Sequence, residues 1–303
     1  MIARQPLPYR VPLDTDDRVS RAPEPPVGLA EHPAPTPVLN YVRRGSGEPL
    51  LLLHSLGGSL VQWSPVLDLL SPHRELIVVD IPGFGDSAEL PKGIEASAAN
   101  LATAVLEFYD SLGLGSDPHV AGISLGGWVA IECARQREAR SVVGLCTAGF
   151  WKRSITKTGD RLNRARAVGK VLRPLLRPTL STARGRRRAL GRFVHHPERL
   201  SQAEALSMVR AYVTAPAYPQ ASALMRSGRI GSIDDLGVPL TLAWAEFDRI
   251  VRRPREGVIP AKVRQVTLPD CGHVPTWDDP ELVARVILSG SQAAAPWSEG
   301  RSP

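Results

Sequence analysis

The sequence of 303 residues predicts an α/β fold, with a mostly parallel central sheet, helices on both faces and an inserted helical cap. Short apolar runs alternate along the chain with segments of helical periodicity, which is typical of parallel strands covered by helices. The alternation stops near Gly149 and resumes near residue 233. The segment between has helical patterns interrupted by prolines, so we expect a helical insertion between two strands of one sheet.

The composition is that of a globular protein with a buried core. Hydrophobic residues make up 43% of the chain and charged residues 22%. No apolar run approaches the length of a transmembrane helix, and the first residues lack the apolar block of a secretory signal peptide. The three cysteines, Cys133, Cys146 and Cys271, lack metal-type spacing and are expected to be buried thiols. These features favour a reducing, cytoplasmic location.

Shifts in composition predict the domain boundaries. Residues 1–37 contain nine prolines and little apolar periodicity, which predicts a disordered arm. Residues 38–149 and 233–288 are expected to form the two parts of the α/β core, with the helical cap at 150–232 between them. Residues 289–303 are expected to form a frayed tail.

The elements of the core follow from these patterns in order. Strand patterns lie at 38–44, 48–55, 74–80, 119–124, 141–148, 238–248 and 263–270. Helical patterns lie at 59–70, 94–114, 125–137 and 276–288. In the second of these helices Leu101, Val105, Phe108 and Leu112 share one face, as expected of a helix packed on a sheet.

The segment Gly122-Ile123-Ser124-Leu125-Gly126 joins a strand to a helix within two or three residues. Such a sharp reversal forces the residue at its apex into a strained conformation, and its neighbours must be small. The strain exposes the Ser124 hydroxyl above the sheet, at a helix N-terminus that favours developing negative charge. The G-x-S-x-G pattern in this context predicts a nucleophile elbow.

A serine hydroxyl needs a general base, and the base needs an orienting acid. His273 follows the strand pattern at 263–270, and Asp248 ends the strand pattern at 238–248. Both are expected beyond the carboxyl ends of parallel strands, where sites in open α/β sheets gather. The sequence therefore predicts a Ser124–His273–Asp248 triad.

Other residues are weaker candidates for the same roles. His54 ends a strand on the same side of the sheet but precedes the serine, and His195 and His196 lie in the insertion, where a solvated surface is expected. Glu246 and Asp270 are alternative acids close to the predicted ends of strands. The order serine, acid, histidine favours Asp248 and His273 over all of them.

Stabilising an oxyanion requires hydrogen-bond donors near the nucleophile. The backbone N–H of Leu125 is one candidate, because Leu125 follows the serine. The loop at 54–59, with the sequence HSLGGS, is expected to supply a second donor, since its glycines allow the backbone to approach a substrate.

Five motifs together resemble those of the α/β-hydrolase superfamily, in its compact capped branch. They are HSLGGS, DIPGFGDS at 80–87, GISLGG, WAEFD and CGHVP, and they occur in the order found in that superfamily. The resemblance covers about residues 38–288. It implies that Ser124 is the nucleophile, His273 the base and Asp248 its partner, and that the N–H groups of Leu56 and Leu125 form the oxyanion hole.

The chain departs from the superfamily pattern at two positions. Ser55 stands where glycine usually follows the histidine, and its hydroxyl is expected to perturb the loop or contact the substrate. Ala245 replaces the usual glycine before the acid, with a minor effect. A serine nucleophile also argues against the related epoxide hydrolases and haloalkane dehalogenases, whose alkyl-enzyme ester requires a carboxylate.

The leading hypothesis is a serine hydrolase that needs no cofactor or metal and cleaves an ester or related acyl compound through an acyl-enzyme. The alternatives are hydrolysis of a carbon–carbon bond, perhydrolysis with the same triad, and ligand binding on a hydrolase scaffold. Phe150 and Trp151 follow a strand directly and are expected at the mouth of the substrate pocket. Trp128 is interpreted as core packing.

The predicted cap is strongly basic. Residues 151–199 carry 15 Lys and Arg against Asp160 and Glu198, whereas the whole chain has a net charge of +7. A solvated cap surface is favoured, with contact to an anionic membrane or an anionic substrate as alternatives. No nucleic-acid-binding motif is present, so no nucleic-acid partner is expected. The sequence does not determine the oligomeric state.

Overall fold

The computed structural model describes residues 39–137, 139–151, 156–171 and 175–291. The predicted arm at 1–37 and most of the predicted tail lie outside these residues. Within them, seven strands form one sheet with helices on both faces, so the predicted α/β fold is confirmed.

The sheet is parallel except at one edge. Its strands lie in the order β1-β3-β2-β4-β5-β6-β7, and the pairing of β1 with β3 is antiparallel. The strands are β1 Tyr41–Arg44, β2 Pro49–Leu53, β3 Glu75–Val79, β4 His119–Ile123, β5 Ser141–Leu145, β6 Leu240–Ala245 and β7 Arg264–Leu268. Strands β2 to β7 therefore all point their carboxyl ends at one edge of the sheet.

Residue type explains the position of each strand. All five residues of β2, β4 and β5 are buried, and these central strands are short apolar runs, as expected for strands covered on both faces. Strand β1 is mostly exposed, and its Arg43 forms an ion pair with Glu75 of β3 at 2.6 Å. Charge on an edge strand discourages pairing with another chain.

The core helices are α1 Ser64–Leu70, α2 Ala98–Ser111, α3 Leu125–Gln136 and α9 Pro280–Gly290. Helices α2 and α3 pack on one face of the sheet, over Leu51 and Leu53, and α1 and α9 pack on the other, over Leu50 and Leu52. Successive side chains of a strand point to opposite faces, so one run of leucines supplies both cores.

Several helix boundaries differ from the sequence predictions, among them both ends of α2, which was predicted at 94–114. The predicted helix at 59–70 is divided into a 3₁₀ turn at Leu60–Trp63 and α1, which has Pro65 in its first turn. Proline lacks the N–H group needed inside a helix, so a new helix begins there. Helix α9 continues to Gly290, beyond the predicted boundary at 288.

Among the described residues, five α-helices and a 3₁₀ turn at Pro197–Arg199 lie between β5 and β6, in the segment predicted as the cap, which keeps that name below. The α-helices are α4 Thr156–Val171, α5 Leu176–Leu180, α6 Ala183–Leu190, α7 Gln202–Thr214 and α8 Tyr218–Ser227. Arg166 of α4 is buried, with its guanidinium donating to the backbone oxygens of Tyr212 and Ala215 at 3.0 and 2.5 Å. This arginine therefore holds the cap together instead of facing solvent.

The three cysteines are buried free thiols. Burial raises the pKa of Cys133 and of Cys271 to about 12, and it raises the pKa of Cys146 well above its ordinary value. Each thiol therefore stays protonated at neutral pH. Among the helices that the structure describes, none combines the length and the apolar character needed to cross a bilayer.

Candidate active site

Ser124 occupies a strained turn between β4 and α3. Its φ and ψ angles are +56° and −110°, values that residues with side chains rarely adopt. The Ser124 backbone N–H donates to the Leu145 backbone oxygen at 2.8 Å. The Ser124 backbone oxygen accepts from the N–H groups of Trp128 and Ala148 at 3.2 and 3.1 Å. The backbone is thereby fixed, whereas the hydroxyl makes no capping bond to the helix.

The glycines on either side of Ser124 are required by close backbone packing. A Cβ atom on Gly122 would lie 2.1 Å from the Gly126 oxygen, and one on Gly126 would lie 2.2 Å from the Leu53 oxygen. Neither contact is physically possible without movement of the backbone. The G-x-S-x-G pattern therefore reflects the geometry of the turn.

Asp248 and His273 form a hydrogen-bonded pair. The Nδ1 atom of His273 lies 2.8 Å from Oδ2 of Asp248, and both side chains are nearly inaccessible to solvent. The second carboxylate oxygen accepts from the N–H groups of Ile250 and Val251 at 2.7 and 2.9 Å. With Nδ1 donating to the carboxylate, Nε2 of His273 is left as a proton acceptor.

Contacts at the end of β5 place this pair at the same edge of the sheet as Ser124. Cys146 follows Leu145, which accepts the Ser124 N–H, and the Cys146 sulfur lies 4.0 Å from the Gly272 oxygen. The Cys146 sulfur, a carboxylate oxygen of Asp248 and a ring nitrogen of His273 all lie within 4.8 Å of one another. Asp248 and His273 therefore lie at the sheet edge that carries Ser124, and contact between the Ser124 hydroxyl and His273 remains a prediction.

The backbone N–H groups of Leu56 and Leu125 donate to no acceptor within the described part of the chain. The loop bearing Leu56 is held by Ser55, whose N–H donates to Gln62 Oε1 at 2.9 Å and whose hydroxyl accepts from Gln62 Nε2 at 3.0 Å. The Ser55 hydroxyl is therefore bonded to Gln62, and its contact with a substrate remains a prediction.

The buried side chain of His54 also holds the loop that bears Leu56 in place. It is fully buried, its Nε2 accepts from the Ile81 N–H at 2.9 Å, and its Nδ1 donates to the Ser55 oxygen at 2.8 Å. Burial lowers the pKa of this imidazole, against an opposing effect of the Asp80 charge. With both ring nitrogens engaged, His54 has a structural role rather than that of a base.

Asp80 joins the DIPGFGDS turn to this loop. Its Oδ1 accepts from the Leu60 N–H at 2.6 Å, and its Oδ2 accepts from the Asp86 N–H at 3.0 Å and from Asn40 Nδ2 at 2.8 Å. Gly85 is required here, because a Cβ atom would lie 2.1 Å from Oδ2 of Asp80. One carboxylate thus binds two backbone N–H groups and the Asn40 side chain, and it joins three segments of the chain.

The alternative acids have other partners. Glu246 accepts from the backbone N–H of Asp270 at 3.2 Å. The Asp270 carboxylate faces His195 and His196, at 3.3 and 2.9 Å from their Nε2 atoms. Asp248 is therefore the acid that the structure pairs with His273.

A cavity of about 300 Å³ lies between cap helix α8 and core helices α2 and α3. Its lining is mostly apolar and includes Leu125 and Trp128 of α3 and Leu224 and Met225 of α8. Sequence reasoning interpreted Trp128 as core packing. It is buried and also lines the cavity, which its position one helical turn after Ser124 could have indicated.

Phe150 and Trp151, predicted at the pocket mouth, are half-buried beside other tryptophans. The Phe150 ring packs edge-on to Trp244 at 6.1 Å, and Trp151 packs edge-on to Trp128 at 6.2 Å. Trp151 Nε1 also donates to the Gly228 oxygen at 3.0 Å. Neither residue lines the cavity beside α8, and contact of either with substrate remains a prediction.

Two groups of described residues could in principle hold a metal ion. Cys146, Asp248 and His273 form one, and it includes the buried Asp–His pair of the candidate active site. His195, His196 and Asp270 form the other, at the junction of the cap and the core.

This fold, with a strained serine turn after β4 and a buried Asp–His pair at the same edge of the sheet, defines a hydrolase of the α/β class. The chain belongs to the alpha/beta hydrolase family, whose model matches residues 21–286.

The relatives carry several different activities. Lipase 3 of a Moraxella species is 36% identical over 115 residues, which cover 37% of this chain and 36% of that lipase, so the chain spans just over a third of this relative. The epoxide hydrolase EphH of Mycobacterium tuberculosis is 30% identical over 210 residues, 66% of this chain and 97% of EphH. A thermophilic esterase from Thermogutta terrifontis has a similar fold, with a TM-score of 0.64, 22% identity, and coverage of 84% of this chain and 92% of the esterase.

Proposed function

We propose that this hydrolase cleaves a carboxylic ester or a related acyl compound through a covalent acyl-enzyme on Ser124, without a cofactor. The observation that carries the proposal is the buried hydrogen bond of 2.8 Å between Asp248 and His273, at the edge of the sheet where Ser124 stands in its strained turn. Acyl transfer of this kind requires a serine, an imidazole that takes its proton and a carboxylate that orients the imidazole.

In this mechanism the Ser124 oxygen attacks the substrate carbonyl while Nε2 of His273 takes the hydroxyl proton. The negative charge moves to the carbonyl oxygen, where the N–H groups of Leu56 and Leu125 can donate to it. The intermediate collapses, the bond to the leaving group breaks, and His273 returns its proton to the leaving oxygen. Water then attacks the acyl-enzyme with His273 again acting as base. Asp248 holds the ring and stabilises its protonated form throughout.

The cavity beneath α8 supports an apolar acyl or alcohol group in the substrate. It includes Leu125, the residue that follows the nucleophile, and its volume of about 300 Å³ is at the lower end of the range for small-molecule sites. An aliphatic group of modest length would bury apolar surface against Leu224 and Met225.

The activity named for EphH is not carried over to this chain. Opening an epoxide through an alkyl-enzyme ester requires a carboxylate nucleophile, and the residue in the elbow here is Ser124. Carbon–carbon bond hydrolysis and perhydrolysis use a serine triad. A panel of ester, thioester and vinylogous diketone substrates, run with and without hydrogen peroxide, distinguishes them from ester cleavage by their products.

The proposal is tested by Ser124→Ala, with Ser46→Ala, an exposed serine in a loop far from the elbow, as the control. We expect turnover of p-nitrophenyl esters to fall by at least about 10³-fold in Ser124→Ala, because the hydroxyl that forms the acyl-enzyme is lost. Labelling by a fluorophosphonate should disappear with it, and circular dichroism should confirm that the fold is retained.

Equal ester turnover in wild type and Ser124→Ala would remove Ser124 from the mechanism. Failure of the folded wild-type protein to react with either the fluorophosphonate or any substrate of the panel would favour a ligand-binding protein on a hydrolase scaffold.

A further inference from the structure

The cap contacts the loop that carries His273 through a short stretch of backbone. The N–H of Val274 donates to the Phe193 oxygen at 2.8 Å. A Cβ atom on Gly272 would lie 2.7 Å from the His195 nitrogen, so these two segments approach as closely as backbones can. Cap residues 193–196 and loop residues 270–274 form one junction.

Asp278 fixes this junction from inside. Its carboxylate is buried and accepts three backbone N–H groups, from His195 at 3.0 Å, His196 at 2.8 Å and Gly272 at 2.8 Å. The backbone that bears the two histidines is therefore held in place by a buried group.

On the outer side of the junction, two imidazoles converge on one carboxylate. The Nε2 atom of His195 lies 3.3 Å from Oδ1 of Asp270, and the Nε2 atom of His196 lies 2.9 Å from Oδ2. One ligand atom from each of the three residues can be chosen so that all three atoms lie within 4.8 Å of one another. Zinc bonds of about 2.0–2.2 Å in a tetrahedron separate neighbouring ligand atoms by about 3.3 Å. The two nitrogen–oxygen distances, each to a different oxygen of Asp270, lie near that value, and the shorter one is a hydrogen bond that a bound ion would replace.

The surroundings of the cluster hold the side chains in this arrangement. The His195 ring stacks on Phe247 with centroids 4.0 Å apart and an angle of 6° between the planes. Nδ1 of His196 lies 3.4 Å from Oε1 of Glu198, so the second nitrogen of this ring faces a carboxylate, a pattern that orients metal-bound histidines. Asp270 has a φ angle of +54°, which turns its backbone out of the strand direction.

We propose that His195, His196 and Asp270 bind a divalent transition metal, with Zn²⁺ as the expected ion. Two imidazoles and one carboxylate match the ligand preference of Zn²⁺, whereas Ca²⁺ and Mg²⁺ prefer sites made of oxygen atoms. Binding releases to solvent any proton held on the two Nε2 atoms, and water completes the coordination. The proposal does not depend on the proposed function.

Positive charges near the cluster oppose a cation but do not occupy the ligand atoms. Arg187 pairs with the other oxygen of Glu198, at 3.1 Å, and the charge of Arg199 acts on Asp270. Because the ion would join the cap to the loop bearing His273, it would stabilise the folded chain by mass action.

The test is equilibrium dialysis of the full, tag-free chain against Zn²⁺, with Co²⁺ absorption spectra to report the ligand set. We expect one bound equivalent in the wild type. Asp270→Asn and His196→Asn should each weaken binding by at least about tenfold. Asparagine tolerates the positive φ angle of position 270, so Asp270→Asn is expected to fold.

Two controls identify the site. His73→Ala removes an exposed histidine outside the cluster and should leave binding unchanged. His273→Ala should also leave it unchanged, because the competing group of Cys146, Asp248 and His273 is not the proposed site. Zn²⁺ should raise the melting temperature of the wild type and of His73→Ala but not that of Asp270→Asn.

Three results would overturn the proposal: a wild-type chain that retains no Zn²⁺, wild-type affinity in both Asp270→Asn and His196→Asn, or loss of binding in His273→Ala. Circular dichroism identifies a variant that fails to fold, and the other cluster variant then decides the question.

Discussion

Three residues other than glycine have φ angles well above zero within the described ranges: Ser124, Cys146 and Asp270. Ser124 follows β4 directly, Cys146 follows β5 directly, and Asp270 lies two residues after β7. All three are therefore at the carboxyl edge of the parallel strands. Backbone strain of this kind persists only where the surrounding structure imposes it, and it concentrates at functional sites.

The buried His54 predicts how stability depends on pH. Burial lowers its pKa in the folded state below the ordinary value of about 6.5. Below about pH 6.5 His54 therefore binds a proton in the unfolded chain but stays neutral in the folded chain. The free energy of unfolding therefore decreases as the pH falls from about 7 towards the folded-state pKa. The urea midpoint should fall less steeply over this range in His54→Gln than in wild type.

His73→Gln, at an exposed position, should retain the wild-type slope in this experiment. Some slope should remain in His54→Gln, because burial also lowers the pKa of His119. Parallel curves for wild type and His54→Gln would contradict the assignment.

The triad residues could be predicted from the sequence, whereas the cluster of His195, His196 and Asp270 could not. A serine in a tight turn calls for a base and an acid, and the loops after later strands supplied His273 and Asp248. Nothing in sequence relates His195 and His196 to Asp270, since about seventy residues and two strands separate them. In the fold, the Asp278 carboxylate binds the backbone N–H groups of His195, His196 and Gly272 and so holds the two segments together.

At the scale of single elements, the elbow depends on the absence of side chains. Gly126→Ala would place a Cβ atom 2.2 Å from the Leu53 oxygen, in a central strand that cannot move. We expect a loss of about 3 kcal/mol or more in the free energy of unfolding. Gly237→Ala is the matched control, because its Cβ atom would meet nothing within 4 Å. Urea denaturation measures both.

In contrast, Gly237→Ala should change stability by less than about 1 kcal/mol. If the two variants unfold at the same urea concentration, the elbow can adjust, and its close packing is not required for folding.

Strands were predicted more accurately than helix boundaries. Buried strands are short apolar runs, and each of the seven predicted strand patterns contains one observed strand. Helix boundaries depend on local chemistry that periodicity does not show. Pro65 divides the predicted helix at 59–70. In the cap, Pro197 begins a 3₁₀ turn and Pro219 lies in the first turn of α8.

At the scale of the whole molecule, the cap and the core together form the cavity. Leu224 of α8 lines it, whereas its neighbour Ala223 is exposed. If the cavity holds an acyl chain, Leu224→Trp should lower kcat/KM for hexanoate and octanoate esters by at least tenfold, about 1.4 kcal/mol, while acetate esters are affected little. Ala223→Trp should leave both unchanged. A uniform loss across chain lengths in Leu224→Trp would show that the cavity does not hold the chain.

Several arginines of the cap make hydrogen bonds or ion pairs within the cap itself. Arg166 binds backbone oxygens of α7 and the turn that follows it, Arg186 donates to the Leu180 oxygen at 2.9 Å, and Arg187 pairs with Glu198. The amino-acid composition could not reveal these contacts, because a basic segment has the same sequence whether its arginines are exposed to solvent or bonded to backbone oxygens. Contact of the remaining arginines with an anionic membrane stays a prediction.

Alkylation of the three buried thiols can be used to measure local unfolding of the protein. Alkylating reagents react with solvent-exposed thiolates. In the folded chain Cys133, Cys146 and Cys271 are buried, and their raised pKa values keep the thiols protonated. Cys133 lies in helix α3, Cys146 beside the Asp–His pair and Cys271 in the junction with the cap. The order in which the three become modified under mild denaturant would therefore indicate which region separates first.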